Sequence, residues 1–299
     1  MTKKTIFRVG TLFFLILFSV IWTHTAVSQE TTIILNLRGV SESKISLIPL
    51  AGTKAFRPVL ELQSVKANTE VTLTIPQEYL PGEFVLRFDY KEKPESTPYP
   101  CEKHIVVSDQ PLTINLNPMY CNSSDSSKFQ PNELENDALS RFQSELGRRM
   151  QKIGLLQQFM MEYDEPQSPF YQQGIAEYER RRLDFNTWIG QQAEKDSNLF
   201  VSSIYRFHYL PAVSFSGSEQ DRLLNLIAGY FEGLDFNDPL IIRSAQMNEW
   251  MNAFVNLHGQ MATSVALRDS LIPAAAYKAI EKAKTGHPQV YGWMVDYFY

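Results

Sequence analysis

The sequence has little cysteine and little histidine, and it lacks the common catalytic motifs. Its two cysteines, Cys101 and Cys121, stand far beyond the Cys-x-x-Cys spacing of a redox-active pair, so catalytic disulfide exchange by this chain is poorly supported. No histidine falls in an HExxH, HxH or Cys/His metal spacing, and no GxSxG elbow, Walker loop or GxGxxG motif is present. We therefore predict no catalytic, cofactor-binding or metal-ligating residue. The histidines beyond the N-terminal segment are expected to be ordinary polar residues: His104, His208, His258 and His287.

The sequence also lacks an excess of positive charge. It has 28 lysines and arginines against 33 aspartates and glutamates, a net charge of −5, with both signs mixed along the chain. Because nucleic-acid binding needs a concentrated basic surface, this balance argues against a nucleic-acid partner. The basic run Arg180-Arg181-Arg182 is predicted to be a solvated helix face, since Glu177 and Asp184 dilute its charge.

The only long apolar run is at the N-terminus. A basic segment at 3–8 precedes an apolar run at 9–22, and Ala26-Val27-Ser28 places small residues where a signal peptidase reads them. A retained membrane anchor is the alternative, but the run is shorter than the ~20 residues of a span and no basic stop-transfer cluster follows. Residues 1–28 are therefore predicted to be a signal peptide cleaved before Gln29. This predicts export to the periplasm or cell envelope, with membrane contact only through the signal peptide before cleavage.

The first part of the predicted mature chain, residues 29–118, has the pattern of a β-domain. Short segments with alternating apolar and polar residues are separated by turn residues such as Pro81-Gly82. About seven short strands at this spacing predict an antiparallel β-sandwich. The expected strands are 31–37, 44–50, 59–65, 70–75, 84–90, 103–108 and 112–117.

The second part, residues 133–299, has a helical period and follows a linker predicted at 119–132. Its first helix carries an apolar stripe: Leu134, Ala138, Phe142, Leu146, Met150 and Ile153. Six more helices are expected at 169–194, at 199–207, after Ser218, from Asp238-Pro239, from Pro273 to Gly286, and from His287-Pro288. The predicted fold class is α+β, a small antiparallel β-sandwich followed by an all-helical domain.

Cys101 and Cys121 bracket a hairpin predicted to turn at Gln110-Pro111, which would place the two thiols opposite each other at its open end. In an oxidising envelope such a pair favours a structural disulfide, worth about 3 kcal/mol for a loop of this size. Free structural thiols are the alternative, and a redox role is the least supported interpretation.

The organisation resembles the N-terminal region of the TlpA/ResA-like thiol-disulfide oxidoreductases of Bacteroidetes. The resemblance covers residues 29–299 and is architectural. It depends on Pro81-Gly82-Glu83-Phe84, on Pro169-Phe170-Tyr171, on the segment 233–239 and on Pro288-Gln289-Val290-Tyr291. In that family a thioredoxin domain follows the helical domain. This chain lacks that domain and its Cys-x-x-Cys, so the resemblance assigns no active-site residue here.

Two hypotheses about function follow. The chain is either the non-catalytic accessory region of a cell-envelope thiol-disulfide oxidoreductase, or a free-standing module that binds a glycan or a peptide. The expected partners are accordingly a redoxin domain, in cis or in trans, or an envelope ligand.

The last predicted helix is apolar to its final residue and carries no capping signal. In the resembling proteins the thioredoxin domain begins soon after such a helix. We therefore expect that Tyr299 is not the natural end of the functional protein. The alternative is a stand-alone protein that buries Trp293, Phe298 and Tyr299 against its own helices.

Overall fold

A computed structural model describes residues 31–53 and 56–299. The predicted signal peptide, residues 1–28, and its cleavage site lie outside the described residues. Within the described ranges, no helix combines the length and the apolar character needed to cross a membrane.

The N-terminal part forms two four-stranded sheets packed face to face, and this confirms the predicted α+β class with its β-sandwich. The first sheet has the order β4-β1-β7-β8 and the second β3-β2-β5-β6. Alternate residues of β1, namely Ile33, Leu35 and Leu37, are fully buried between the sheets, as strand periodicity requires. The strands are β1 (Thr32–Leu37), β2 (Glu42–Pro49), β3 (Leu60–Lys66), β4 (Glu70–Thr74), β5 (Gly82–Lys91), β6 (Tyr99–Val107), β7 (Leu112–Leu116) and β8 (Ser127–Phe129).

Two details of the sandwich differ from the prediction. The β1–β7 pair is parallel, whereas the other strand pairs are antiparallel. The segment 119–132 is not a free linker, because β8 lies within it and pairs with β7 at Ile114–Phe129 and Leu116–Ser127. The β-domain therefore extends past residue 118.

The C-terminal part is helical, as predicted. Its helices are α1 (Glu135–Glu162), α2 (Pro169–Lys195), α3 (Val201–Tyr205), α4 (Glu219–Gly229), α5 (Ala245–Gln260), α6 (Val265–Ala283) and α7 (Pro288–Phe298). The predicted stripe is buried at Ala138, Phe142 and Ile153 of α1, whereas Met150 of α1 and Leu134, the residue before α1, are exposed.

Two predicted helix starts are wrong. Asp238 does cap a helical segment by accepting a hydrogen bond from the Leu240 amide at 2.9 Å, but that segment is a 3-10 turn, Pro239–Arg243. The α-helix starts anew after Ser244, whose hydroxyl caps α5. The sixth helix begins after the cap Ser264 and not at Pro273, which lies in its interior. In both cases a serine cap, not the more conspicuous proline, marks the start of the helix.

The helices form two apolar clusters, and the first of them includes a residue of the sandwich. Helices α1–α3 pack around Phe142, Phe185 and Tyr205, and Val106 of β6 joins this cluster. Helices α4–α7 pack around a second core that includes Met247 and Phe254.

Candidate functional site

The structure joins Cys101 and Cys121 in a disulfide, with their Cα atoms 6.6 Å apart. This is the predicted bridge, but the hairpin that motivated it does not exist. β6 lies in the second sheet and β7 in the first, so the bond connects β6 to the turn after β7 and ties the two sheets together. Cys121 is completely buried, and Lys103 donates a hydrogen bond to its carbonyl oxygen at 3.3 Å. The surroundings are those of a structural disulfide, because an exchange-active pair needs an accessible thiolate.

The histidines lie apart from one another. His104 is exposed on β6, and His287 caps α7 by accepting from the Gln289 amide. His258 is buried, with Nδ1 3.0 Å from the Phe254 carbonyl oxygen. Burial lowers the pKa of His208. Among residues 31–53 and 56–299, no group of three or more His, Cys, Asp or Glu side chains is arranged to hold a metal ion.

The arginine run on α2 is only partly the solvated face that the sequence predicts. Arg180 and Arg181 are exposed or half-exposed and pair with Glu177. Arg182 is buried, with 7% of its side chain exposed. It points to the opposite side of the helix, because successive helical residues are rotated by about 100°.

Arg182 helps to hold the segment that follows α3. Its Nη1 donates to the Leu210 carbonyl oxygen at 2.7 Å. Asn186 contacts the same residue twice, donating to the Leu210 carbonyl at 2.8 Å and accepting from the Leu210 amide at 2.9 Å. Further along, the Tyr171 hydroxyl donates to the Phe215 carbonyl at 3.4 Å. Helix α2 thus fixes residues 210–215 near both ends.

A groove of about 360 Å³ lies between this segment and the helices α1, α2 and α4. Its volume falls within the range typical of ligand sites. The walls are mostly apolar and the two charged side chains are on α4. The lining residues are Gln157, Met161, Tyr178, Leu210, Pro211, Val213, Ser214, Glu219, Arg222, Leu223 and Leu226.

The polar groups of the groove are few and separately placed. Tyr178 is buried beneath it, and its hydroxyl donates to Gln157 Oε1 at 3.4 Å. Burial raises the pKa of the Tyr178 hydroxyl, so it stays protonated at neutral pH. Arg222 donates from Nη1 to the Gly217 carbonyl at 3.1 Å and not to Glu219. The Glu219 carboxylate is exposed on the rim. Nothing in this arrangement resembles a nucleophile with an adjacent base.

The segment between Leu210 and Phe215 has no regular secondary structure. Within the part of the chain that the structure describes, the backbone N–H and C=O groups of Ala212 and Val213 have no hydrogen-bond partner. A backbone segment without hydrogen-bond partners beside an apolar groove can pair with an added peptide strand, as a free sheet edge does. Sequence reasoning missed this site, because the segment carries no periodic pattern. The one available signal was the apolar character of Leu210-Pro211-Ala212-Val213 between two helices.

Comparison of the chain with protein-family models, with curated proteins and with solved structures gives no match. The resemblance to the thiol-disulfide oxidoreductases therefore stays a prediction.

Proposed function

We propose that this chain is a non-catalytic binding region that holds an extended apolar segment of a protein substrate in the groove beside residues 211–214. It would act as the accessory part of an exported thiol-disulfide oxidoreductase, with the redoxin domain supplied in cis or in trans. The observation that carries the proposal is the apolar groove bordered by Val213, whose backbone N–H and C=O have no hydrogen-bond partner among the described residues.

The groove suits a peptide because it offers two kinds of contact together. An extended peptide would exchange backbone hydrogen bonds with Val213, since the N–H and C=O groups of successive extended residues point to opposite sides. Every second side chain would then point towards Leu223 and Leu226 on α4. Because α2 fixes the segment at Leu210, little ordering entropy is lost on binding.

The cysteines support an accessory role over a catalytic one. Both are used in a disulfide that links the two sheets, and Cys121 is fully buried. A chain of this kind contributes substrate binding, and another domain must supply the thiolate for exchange.

Binding of a fluorescein-labelled, reduced and carbamidomethylated insulin B chain, followed by fluorescence polarisation, tests the proposal. The substitution Leu223→Asp places a charge in the groove and should weaken binding about tenfold, as loss of a central apolar contact does. Leu224→Asp is the matched control, because Leu224 is the next residue of the same helix, is 48% exposed and does not line the groove. Equal affinities of the two variants would contradict the assignment of this groove.

The alternative is a free-standing glycan-binding module, and one observation favours it. Phe159 and Phe170, at the end of the α1–α2 hairpin, are 50% and 55% exposed. The ring of Tyr163 lies 5.6 Å from the first and 5.4 Å from the second. Exposed rings of this kind can stack on sugars. Saturable binding of chitotriose or maltotriose that is lost in Phe159→Ala and Phe170→Ala, together with no peptide binding, would favour this alternative.

A further inference from the structure

A second, chemically different cleft lies further along the α1–α2 pair, outside the peptide groove. It has a volume of about 270 Å³ and a floor formed by the buried side chains of Ile153 and Phe185. Its walls are charged. They consist of Glu145, Arg148, Arg149 and Lys152 from α1, and Arg180, Arg181 and Asp184 from α2.

Positive charge predominates in this cleft, although the chain as a whole has a net charge of −5. Five cations line it, and the carboxylates beside them are Glu145, Asp184 and Glu177, the last of which pairs with Arg180 and Arg181. The five cations against three carboxylates leave two positive charges without a counter-charge.

The ion pairs orient the arginines without using all of their donors. Arg149 donates from Nε to Glu145 at 2.7 Å, and its guanidinium lies 4.8 Å from the Trp188 ring centroid. Arg181 donates from Nε to Glu177 at 2.6 Å. Within the described chain, the two terminal nitrogens of Arg149 and of Arg181 make no hydrogen bond, and neither does Lys152 Nζ.

We propose that this cleft binds a doubly charged tetrahedral oxyanion, either a phosphate (as the ion or as a monoester group of a ligand) or the sulfate ion. The free ends of Arg149 and Arg181 are the bidentate donors such a group prefers. Lys152 supplies a third cation, and a dianion matches the two uncompensated charges. Arg180 takes no direct part in binding, since Glu177 and Asp184 already engage its Nε and both terminal nitrogens.

The test is an NMR titration of the arginine Nε–Hε resonances with inorganic phosphate and, separately, with sulfate. Ionic strength is held constant with chloride, because surface charges respond to salt alone. We expect saturable shifts at Arg149 and Arg181. Arg268 on α6, which pairs with its neighbour Asp269, should not shift. The anion with the lower dissociation constant identifies which of the two groups the cleft prefers.

Variants make the assignment specific. Replacing both Lys152 and Arg181 by glutamine should weaken binding about tenfold, because each removes a charged donor. Arg268→Gln removes an exposed arginine elsewhere and should leave the dissociation constant unchanged. Equal shifts at Arg268, an unchanged dissociation constant in the double variant, or no saturation with either anion would each overturn the proposal.

Discussion

The carboxylate of Glu83 on β5 accepts a hydrogen bond from the hydroxyl of Ser244 at 2.6 Å. The same oxygen accepts from the Ala245 amide at 2.9 Å. Glu83 therefore caps the N-terminus of α5 from within the β-domain and fixes the sandwich against the second helical cluster. Burial raises the pKa of the Glu83 carboxyl, and the bonds from Ser244 and Ala245 oppose that rise, as does the nearby His104.

The raised pKa of Glu83 has a consequence for stability. Because the folded state holds this proton to higher pH than the unfolded chain, the contribution of Glu83 is complete below the unfolded pKa of about 4.5 and is lost as pH rises through the folded value. Burial also raises the pKa of Glu135, so its contribution to stability is likewise lost as the pH rises. In urea unfolding from about pH 4 to about pH 7, Glu83→Gln should therefore reduce this pH-dependent loss of stability. If the free energy of unfolding changed with pH equally in the wild type and the variant, this assignment to Glu83 would be contradicted.

A second contact across the two parts depends on Asn136. Its side-chain oxygen accepts from the Val106 amide and its nitrogen donates to the Val106 carbonyl, both at 2.8 Å and both buried. The substitution Asn136→Ala leaves that strand edge with two unpaired buried groups and should lower the free energy of unfolding by about 2–3 kcal/mol. The control Asn237→Ala, at an exposed turn, should change it by less than about 0.5 kcal/mol. Similar losses of unfolding free energy in the two variants would mean that the Val106 contact does not stabilise the folded protein.

The disulfide closes a loop with a sequence separation of 20 residues. Replacing Cys101 and Cys121 together by serine should lower the free energy of unfolding by about 3 kcal/mol, because the unfolded chain regains the entropy of that loop. Reductant should destabilise the wild type by a similar amount and leave the double variant unaffected. A positive thiol titration of the unfolded, unreduced protein would show that the bridge does not form in solution.

The chain alone should not accelerate insulin reduction by dithiothreitol above background. Its cysteines stabilise the sandwich, and Cys121 is fully buried. Turnover that disappears in Cys101→Ser or Cys121→Ser would contradict the non-catalytic assignment.

Local patterns in the sequence predicted the regular elements well. Seven of the strands follow from period-two alternation, and α2 and α7 begin at Pro169 and Pro288, where serine or histidine caps precede proline. The strand β8 was missed because its three residues lie in a stretch rich in Ser, Asn and Asp, too short to show alternation. The parallel β1–β7 pair was missed because it joins strands distant in sequence, and no local pattern encodes such a pairing.

The groove could not be predicted for the same reason. Its segment is shaped by the contacts of Leu210 with Arg182 and Asn186, which are distant in sequence. Arg182 stands in a run of three arginines that the sequence suggests is wholly exposed, and its burial depends on the helix phase and on what packs against α2.

Amide hydrogen exchange of residues 212–214, with and without the carbamidomethylated insulin B chain, tests the peptide-binding proposal most directly. In the free protein the amides of Ala212 and Val213 have no intramolecular acceptor among the residues described, so they should exchange rapidly. If an extended peptide pairs with this segment, exchange at the Val213 amide should slow on binding, because Val213 lines the groove. Exchange in the exposed turn 93–96 should be unaffected. Unchanged exchange at the Val213 amide under conditions where the peptide is bound would contradict the account.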